Sequence, residues 1–178
     1  MTPSLTEIAA LVAAQKVPPV EAWHPAHCGD SRMRIAADGT WFHEGSPIGR
    51  PELVRLFASI LRREPDGGFV LVTPGEKLDI AVDDAPFVAV AVDSDGAGPG
   101  RTLAFRLNTG DHVIAGPEHA LRVTAAAAES APRPYLHVRR GLDALVNRAT
   151  FYQLADLALD EGADPAGLWS GGAFFPFA

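Results

Sequence analysis

Only one cysteine, Cys28, occurs among the 178 residues. An internal disulfide and a four-cysteine zinc site are therefore excluded, and a reducing, cytoplasmic environment is expected. The sequence also lacks any run of the roughly 18 apolar residues that a membrane-spanning helix needs. Its first residues lack the basic segment and the apolar run of a signal peptide. These absences predict a chain that is neither exported nor embedded in a membrane.

Positive charge is scarce as well. Lysine and arginine number 15 against 22 acidic residues, which gives a formal net charge of −7. A protein that binds the phosphate backbone normally carries a basic face, so no nucleic-acid partner is predicted. Apolar residues, by contrast, make up 47% of the chain. This fraction is sufficient for the core of one ordinary domain or of two small packed ones.

The first 31 residues predict a helix followed by a loop. Ser4 and Glu7 match the capping-box pattern, and apolar residues then recur at helical spacing, which predicts a helix over residues 5–15. Pro18 and Pro19 end this helix, because proline lacks an amide donor and favours an extended neighbour. Residues 17–31 are predicted to form an ordered loop.

A hairpin that leads into a second helix is predicted next. Asp38-Gly39 is a strong signal for a type I′ turn between strands at 32–37 and 40–44. An apolar stripe from Leu53 to Leu61 then predicts a helix, with Pro51 in its first turn.

The middle of the chain predicts an antiparallel meander, because short β-like runs alternate with turn-forming clusters. The runs are 69–72, 76–82, 87–92, 103–107, 112–114 and 121–124. No strand–helix–strand alternation is present, which disfavours a doubly wound sheet.

The last third predicts a strand at 135–138 and then a helix from Leu142 to Leu157 that is apolar around most of its circumference. Such a helix is expected at the centre of the core. The chain ends in a segment with four aromatic residues: Trp169, Phe174, Phe175 and Phe177. We expect this tail to dock on the protein itself, and a surface for a protein partner or a second copy is the alternative.

Together these elements predict an α+β fold of antiparallel strands with a few helices. The predicted divisions are an N-terminal helix (1–16), two αβ subdomains (17–76 and 77–160) and the aromatic tail (161–178). Residues 41–44 with Leu53-Val54 resemble residues 135–138 with Leu145-Val146. This likeness raises the hypothesis of a repeated strand-turn-helix motif.

Several segments together resemble the bacterial family of unknown function numbered 1285 (DUF1285). They include Cys28-Gly29-Asp30, Met33-Arg34-Ile35, Asp38-Gly39-Thr40-Trp41-Phe42, Pro47-Ile48-Gly49-Arg50, Leu71-Val72-Thr73-Pro74, Asp84-Ala85-Pro86-Phe87-Val88, Gly116-Pro117-Glu118-His119 and Tyr135 with His137-Val138-Arg139. The resemblance covers about residues 17–158. It implies a mixed fold with repeated strand-and-helix motifs and a role in signal transduction or small-molecule sensing. The aromatic tail, His24 and His27 lie outside the matching pattern.

Neither a metal nor a catalytic centre is predicted. His24, His27, Cys28 and Asp30 supply nitrogen, sulfur and oxygen within seven residues, but their spacing matches no standard zinc site. No nucleophile elbow, paired carboxylates or glycine-rich nucleotide fingerprint stands at diagnostic spacing. We therefore predict no metal and no cofactor, and more weight falls on a binding protein than on an enzyme.

The candidate ligand-binding residues are polar or aromatic side chains in or beside predicted turns, where rigid scaffolds usually carry binding groups. They are Arg34, Trp41, His43, Arg50, Lys77, Asn108, Asp111 and His137. Arg50 stands at a predicted helix start, where a guanidinium and free amides suit a carboxylate or phosphate. Trp41 and His43 share a strand face that either lines a cleft or places Trp41 in the core.

Three functions follow as hypotheses. The leading one is a regulatory module that binds a small anionic metabolite or a nucleotide in a cleft between two subdomains. The second is a small-molecule hydrolase that uses His43, Glu44, His137 and Asp30, which requires these groups to converge. The third is a protein-interaction adaptor that uses the aromatic tail.

Overall fold

The computed structural model describes residues 17–124 and 131–177, together with Ser4, Thr6, Glu7, Ala10 and Ala14. The chain divides into two compact units. The N-terminal unit comprises Lys16–Pro86 and Arg140–Leu142, and the C-terminal unit comprises Met1–Gln15, Phe87–Arg139 and Asp143–Ala178. In the described part of the chain, no helix is long and apolar enough to cross a membrane.

One six-stranded sheet forms the N-terminal unit. Its elements are β1 (His27–Ile35), β2 (Trp41–His43), β3 (Ser46–Pro47), helix α1 (Pro51–Ser59), β4 (Leu61–Arg63), β5 (Phe69–Val72) and β6 (Lys77–Val82). The strands lie in the order β3-β2-β1-β6-β5-β4. The central β1–β6 pair is parallel, and the other pairs are antiparallel.

A second six-stranded sheet forms the C-terminal unit, followed by a helix and a hairpin. Its elements are β7 (Phe87–Asp95), β8 (Thr102–Leu107), β9 (His112–Ile114), β10 (Leu121–Thr124), β11 (Arg133–Arg139), β12 (Leu142–Val146), helix α2 (Arg148–Glu161), β13 (Gly167–Ser170) and β14 (Ala173–Pro176). The strand order is β10-β11-β12-β7-β8-β9, with β12 and β7 parallel at the centre. The α+β fold class is confirmed.

The two sheets repeat the same strand order. If the strands of each unit are counted from its own first strand, both sheets read 3-2-1-6-5-4, with the first and sixth strands paired in parallel. The helices do not repeat, because α1 follows the third strand of its unit and α2 follows the sixth. Leu53-Val54 lie on α1, whereas Leu145-Val146 lie on β12. The two segments compared in the sequence therefore do not correspond element for element.

The hairpin and helix predicted between residues 32 and 61 are present. Asp38 accepts a hydrogen bond from the Thr40 amide at 2.9 Å, and this bond holds the pKa of the Asp38 carboxyl below its ordinary value. Gly39 has a φ of +89°, but Asp38 has no positive φ, so the turn is not type I′. Pro51 is in the first turn of α1, as predicted.

Some element boundaries differ from the sequence predictions. Residues 27–31 belong to β1 and not to a loop, because they pair with β6. Residues 142–146 form a strand and not the start of a helix; Leu142, Ala144 and Val146 are buried in alternation, which is the period of a strand. Helix α2 starts at Arg148, where the side chain of Asn147 accepts a hydrogen bond from Thr150.

Helix α2 is not a central helix buried on all sides. Tyr152 and Leu159 on this helix are 60% and 74% exposed, and only Thr150, Leu154 and Ala158 are buried. Because β6 pairs within the first sheet, the N-terminal unit continues to Pro86 and does not end at residue 76.

The predicted N-terminal helix falls largely outside the described residues. Its capping box is present: the Glu7 amide donates to Ser4 Oγ at 3.3 Å, and the Ser4 amide donates to Glu7 Oε2 at 2.6 Å. The hydrogen bond from the Ser4 amide, and then the Ser4 side chain, hold the pKa of the Glu7 carboxyl below its ordinary value.

The aromatic tail forms the β13–β14 hairpin. Phe175 is buried, Trp169 packs against Phe174 at 5.5 Å between ring centroids, and Phe177 packs against Phe151 at 5.8 Å. The hydroxyl of Ser170, which is fully buried, accepts from the Leu103 amide and donates to the Ala115 carbonyl, both at 2.8 Å. The tail is therefore part of the core of the C-terminal unit.

Candidate functional site

The eight candidate residues from the sequence are divided between the two units. Arg34, Trp41, His43, Arg50 and Lys77 belong to the N-terminal unit, and Asn108, Asp111 and His137 belong to the C-terminal unit. The residues that the hydrolase hypothesis requires are also divided: His43, Glu44 and Asp30 are in the N-terminal unit, and His137 is in the C-terminal unit.

In the N-terminal unit, several candidate side chains contact other residues of the protein. Trp41 is 2% exposed and stacks on Phe57 at 6.4 Å, so it is a core residue. Arg34 forms a salt bridge with Asp83 and lies 4.8 Å from the ring centroid of Phe42. Lys77 Nζ is 4.0 Å from Glu64 Oε2.

His43 and Arg50 are exposed. Arg50 is the N-cap residue of α1, and its carbonyl accepts from the amides of Leu53 and Val54. An anion at Arg50 therefore stays a prediction from the sequence.

The candidate side chains in the C-terminal unit form polar contacts with other residues of that unit. Asn108 Oδ1 accepts from the Val88 amide at 3.0 Å, and Asp111 accepts from the Thr109 hydroxyl at 3.0 Å. His137 Nδ1 is 3.2 Å from Asp143 Oδ1, and the other oxygen of Asp143 accepts from Arg122 at 2.9 Å. Asp143, which the sequence did not single out, therefore orients the imidazole of His137.

The described segment from His24 to Asp30 has no metal-site geometry. His27 Nε2 is 3.0 Å from Asp79 Oδ2, the Cys28 thiol donates to the Ala26 carbonyl, and Asp30 accepts from the Arg32 amide at 2.7 Å. Among the residues that the structure describes, no group of three or more His, Cys, Asp or Glu residues is arranged to hold a metal.

A pocket lined by arginines lies in the N-terminal unit. It has a volume of about 420 Å³. We call it the arginine pocket, and its lining residues are Glu21, His24, Arg62, Arg63, Glu64, Pro65 and Arg140. All seven belong to the N-terminal unit.

Arg62 builds the floor of this pocket. Its Nε and Nη2 both donate to Glu64 Oε1, at 2.8 and 2.7 Å, and its Nη1 donates to the carbonyls of Val20 and Trp23 at 2.8 and 2.7 Å. Because the Arg62 side chain is 9% exposed, this pair is shielded from solvent. The two carbonyl bonds hold the segment that carries Glu21 and His24, which Val20 also anchors to β5.

Arg63 contacts a tight turn that contains Arg140. Arg140 and Gly141 connect β11 to β12 with successive φ values of +46° and +76°, the pattern of a type I′ turn. The Gly141 carbonyl accepts from Arg63 Nη1 at 3.2 Å. A Cβ atom at position 141 would lie 3.3 Å from Arg63 Cδ, so glycine lets the arginine stem lie against the turn.

The charges of the arginine pocket favour an anion. Three guanidinium groups face two carboxylates, and Glu64 is already bonded to Arg62. Within the described part of the chain, the side chain of Arg140 has no hydrogen-bonding or ion-pair partner. The pocket is therefore locally positive in a chain whose net charge is −7. Guanidinium donors in a concave site suit a carboxylate or a phosphate.

No local sequence pattern predicts this pocket, because its residues are far apart in the chain. Arg62-Arg63 follow an apolar helix stripe, and Arg140-Gly141 lies 78 residues beyond them in a segment that was read as the approach to a helix. The pair Arg140-Gly141, which stands between two runs of alternating apolar residues, was the one local feature that could have indicated a hairpin here.

The fold and the pocket define a two-unit α+β protein whose repeated sheets carry an anion-compatible site in the N-terminal unit. The chain belongs to the DUF1285 family. The model described as "Domain of unknown function (DUF1285), N-terminal domain" matches residues 18–85, and "Protein of unknown function (DUF1285), C-terminal domain" matches residues 86–177. The resemblance predicted from the sequence is therefore confirmed and extends through the aromatic tail.

Two solved structures are similar to this chain. One is a DUF1285 family protein from Silicibacter pomeroyi DSS-3, with 48% identity, a TM-score of 0.84 and coverage of 99% of this chain and 95% of that one. The other is a DUF1285 family protein from Shewanella baltica OS155, with 28% identity, a TM-score of 0.53 and coverage of 70% and 91%. Comparison with curated proteins finds no match.

Proposed function

We propose that this protein is a regulatory ligand-binding module that recognises a small anionic metabolite or a nucleotide in the arginine pocket. One observation carries the proposal. Arg63 is hydrogen-bonded to the β11–β12 turn that carries Arg140, and both arginines line a pocket in which Glu64 is already bonded to Arg62. A cytoplasmic location, which the single cysteine favours, is part of the same proposal.

The backbone of Arg140 supports a role for its side chain. A φ of +46° is unfavourable for a residue with a Cβ atom, and asparagine followed by glycine is the preferred pair for such a turn. Arginine at this position is therefore not explained by the needs of the turn. A guanidinium that must project into the pocket explains it.

The substitution Arg140→Asn separates binding from folding. Asparagine suits the left-handed turn, so the free energy of unfolding should stay equal or rise slightly. The loss of charged donors should weaken anion binding by about 10-fold or more, since a hydrogen bond to a charged group contributes about 1.5–3 kcal/mol. The matched control is Arg50→Ala, which removes the guanidinium that the sequence favoured in the same unit.

Binding is measured by thermal shift and calorimetry of the full chain with pyrophosphate, citrate, 5′-nucleotides and cyclic dinucleotides as probes. A probe at 100 times its Kd should stabilise the protein by about 2.7 kcal/mol. Loss of that effect in Arg140→Asn but not in Arg50→Ala supports the arginine pocket. Equal binding by Arg140→Asn and the unmodified chain, loss in Arg50→Ala alone, or no binding of any probe would refute the proposal. The adaptor hypothesis would then be tested by capture of partner proteins with the full chain.

A further inference from the structure

The C-terminal unit has a cavity of its own, with chemistry unlike that of the arginine pocket. It has a volume of about 580 Å³ and lies where the start of β11, the end of β12 and the first turns of α2 meet. We call it the aromatic cavity. Its lining includes Arg133, Leu145, Arg148, Phe151 and Tyr152.

Apolar groups form most of the wall. Leu145 comes from the half-buried face of β12, and Phe151 is held in place by the ring of Phe177 at 5.8 Å. Tyr152 is 60% exposed, so much of its ring is open to solvent beside the cavity. A mostly apolar cavity of several hundred Å³ with a few polar groups is the usual form of a small-molecule site. The cavity is therefore suited to a ligand with an apolar body.

The polar part of the lining is basic. Arg133 and Arg148 both contribute to it. Arg148 is the first residue of α2, and the first turn of this helix contains no acidic residue. A cation at the positive end of a helix is destabilising, so Arg148 is not explained by helix stability. An anionic group bound at the same place would explain it.

We propose that the aromatic cavity binds an amphiphilic carboxylate, that is, an acyl or aromatic carboxylic acid. The apolar body lies against Leu145, Phe151 and Tyr152, and the carboxylate is bound by Arg148 with Arg133. Guanidinium and carboxylate groups match in geometry, which favours this anion at the rim. The site is in the other unit from the arginine pocket, so the two proposals are independent.

The test uses the full chain with two amphiphilic anions, a sulfonate dye and a carboxylate. One is 8-anilinonaphthalene-1-sulfonate, whose fluorescence reports entry into an apolar site, and the other is decanoate as its competitor. We expect saturable binding of the fluorescent probe and its displacement by decanoate, with 1-decanol a weaker competitor by about tenfold because it lacks the charge.

Two variants and one control locate the site. Arg148→Gln should weaken decanoate binding by about tenfold while the helix stays as stable or becomes more stable, since glutamine is a good helix former. Tyr152→Ala should weaken both probes. Leu159→Ala removes another exposed apolar side chain from the same helix, outside the cavity lining, and should change neither.

Several results would overturn the proposal. If 1-decanol displaces the dye as well as decanoate does, the carboxylate is not bound by Arg148 and Arg133. Equal losses in Leu159→Ala and Tyr152→Ala would mean that the dye reports only exposed apolar surface. Decanoate that fails to displace the dye would also refute it. Arg140→Asn should leave decanoate binding unchanged, so the outcome does not depend on the arginine pocket.

Discussion

Replacing Glu161 by alanine should destabilise the C-terminal unit far more than removal of an exposed carboxylate does elsewhere in the chain. Glu161 is the last residue of α2, and its Oε1 accepts from the Gly98 amide at 2.6 Å and from Arg101 Nε and Nη2 at 3.1 and 2.7 Å. Arg101 is 7% exposed and also donates to the Ser94 hydroxyl. The carboxylate therefore fastens the end of the helix to the loop before β8.

The expected cost follows from what the substitution leaves behind. Glu161→Ala leaves the buried guanidinium of Arg101 with the Ser94 hydroxyl as its remaining side-chain partner. Removal of one member of a buried ion pair typically lowers the free energy of unfolding by about 3–5 kcal/mol. Because the Glu161 side chain is still 14% exposed and Arg101 keeps Ser94, we expect about 3 kcal/mol, equivalent to a fall in Tm of roughly 6–12 °C for a protein of this size.

Urea unfolding of the full chain measures this cost against a matched pair. Arg32 and Glu44 are 3.0 Å apart but 72% and 56% exposed, so Glu44→Ala should cost about 0–1 kcal/mol. A double variant, Arg101→Met with Glu161→Leu, should recover part of the loss, because replacing both charges removes the stranded guanidinium. If Glu161→Ala costs no more than Glu44→Ala, burial does not strengthen this pair and the reasoning fails.

Two further predictions concern the same unit. The Gly98 amide, and then Arg101, hold the pKa of the Glu161 carboxyl below its ordinary value of 4.5. The stabilising effect of this carboxylate is therefore fully present above about pH 4.5 and is lost as the pH falls through the lowered pKa. The difference in unfolding free energy between the unmodified chain and Glu161→Gln should shrink in acid, and a constant difference would contradict this. Ser170→Ala leaves the Leu103 amide and the Ala115 carbonyl without their buried partner and should cost about 2–3 kcal/mol by urea unfolding, whereas Ser59→Ala on α1 should stay within about 0.5 kcal/mol.

Local signals predicted the parts of the fold that local physics controls. The Asp38-Gly39 turn, Pro51 at the start of α1 and the short strands of the middle region all follow from backbone preferences and apolar period. Sheet order does not, because the parallel β1–β6 and β7–β12 pairs join segments far apart in sequence. Residues 142–146 show the ambiguity directly: their apolar density resembled a helix, and only pairing with β7 selects the strand period.

The candidate site was less predictable than the fold. The sequence favoured an anion site at arginines beside turns, and the site proposed in the arginine pocket is of the same kind. The residues differ, because Arg34 is paired with Asp83 and Trp41 is in the core. Arg63 contacts the β11–β12 turn that carries Arg140, and no local pattern contains this contact between residues 78 positions apart.

The two proposed sites share one property: each contains an arginine at a position that is locally unfavourable for it. Arg140 adopts a left-handed backbone, and Arg148 opposes the dipole of α2. Arg32 and Glu44 also have positive φ values, of +57° and +49°, but they bond to each other, so their side chains are accounted for. Left-handed backbone alone is thus a poor marker of function. An arginine that breaks a local rule and also lines a cavity is a better one, because sequences tend to break such rules where function requires it.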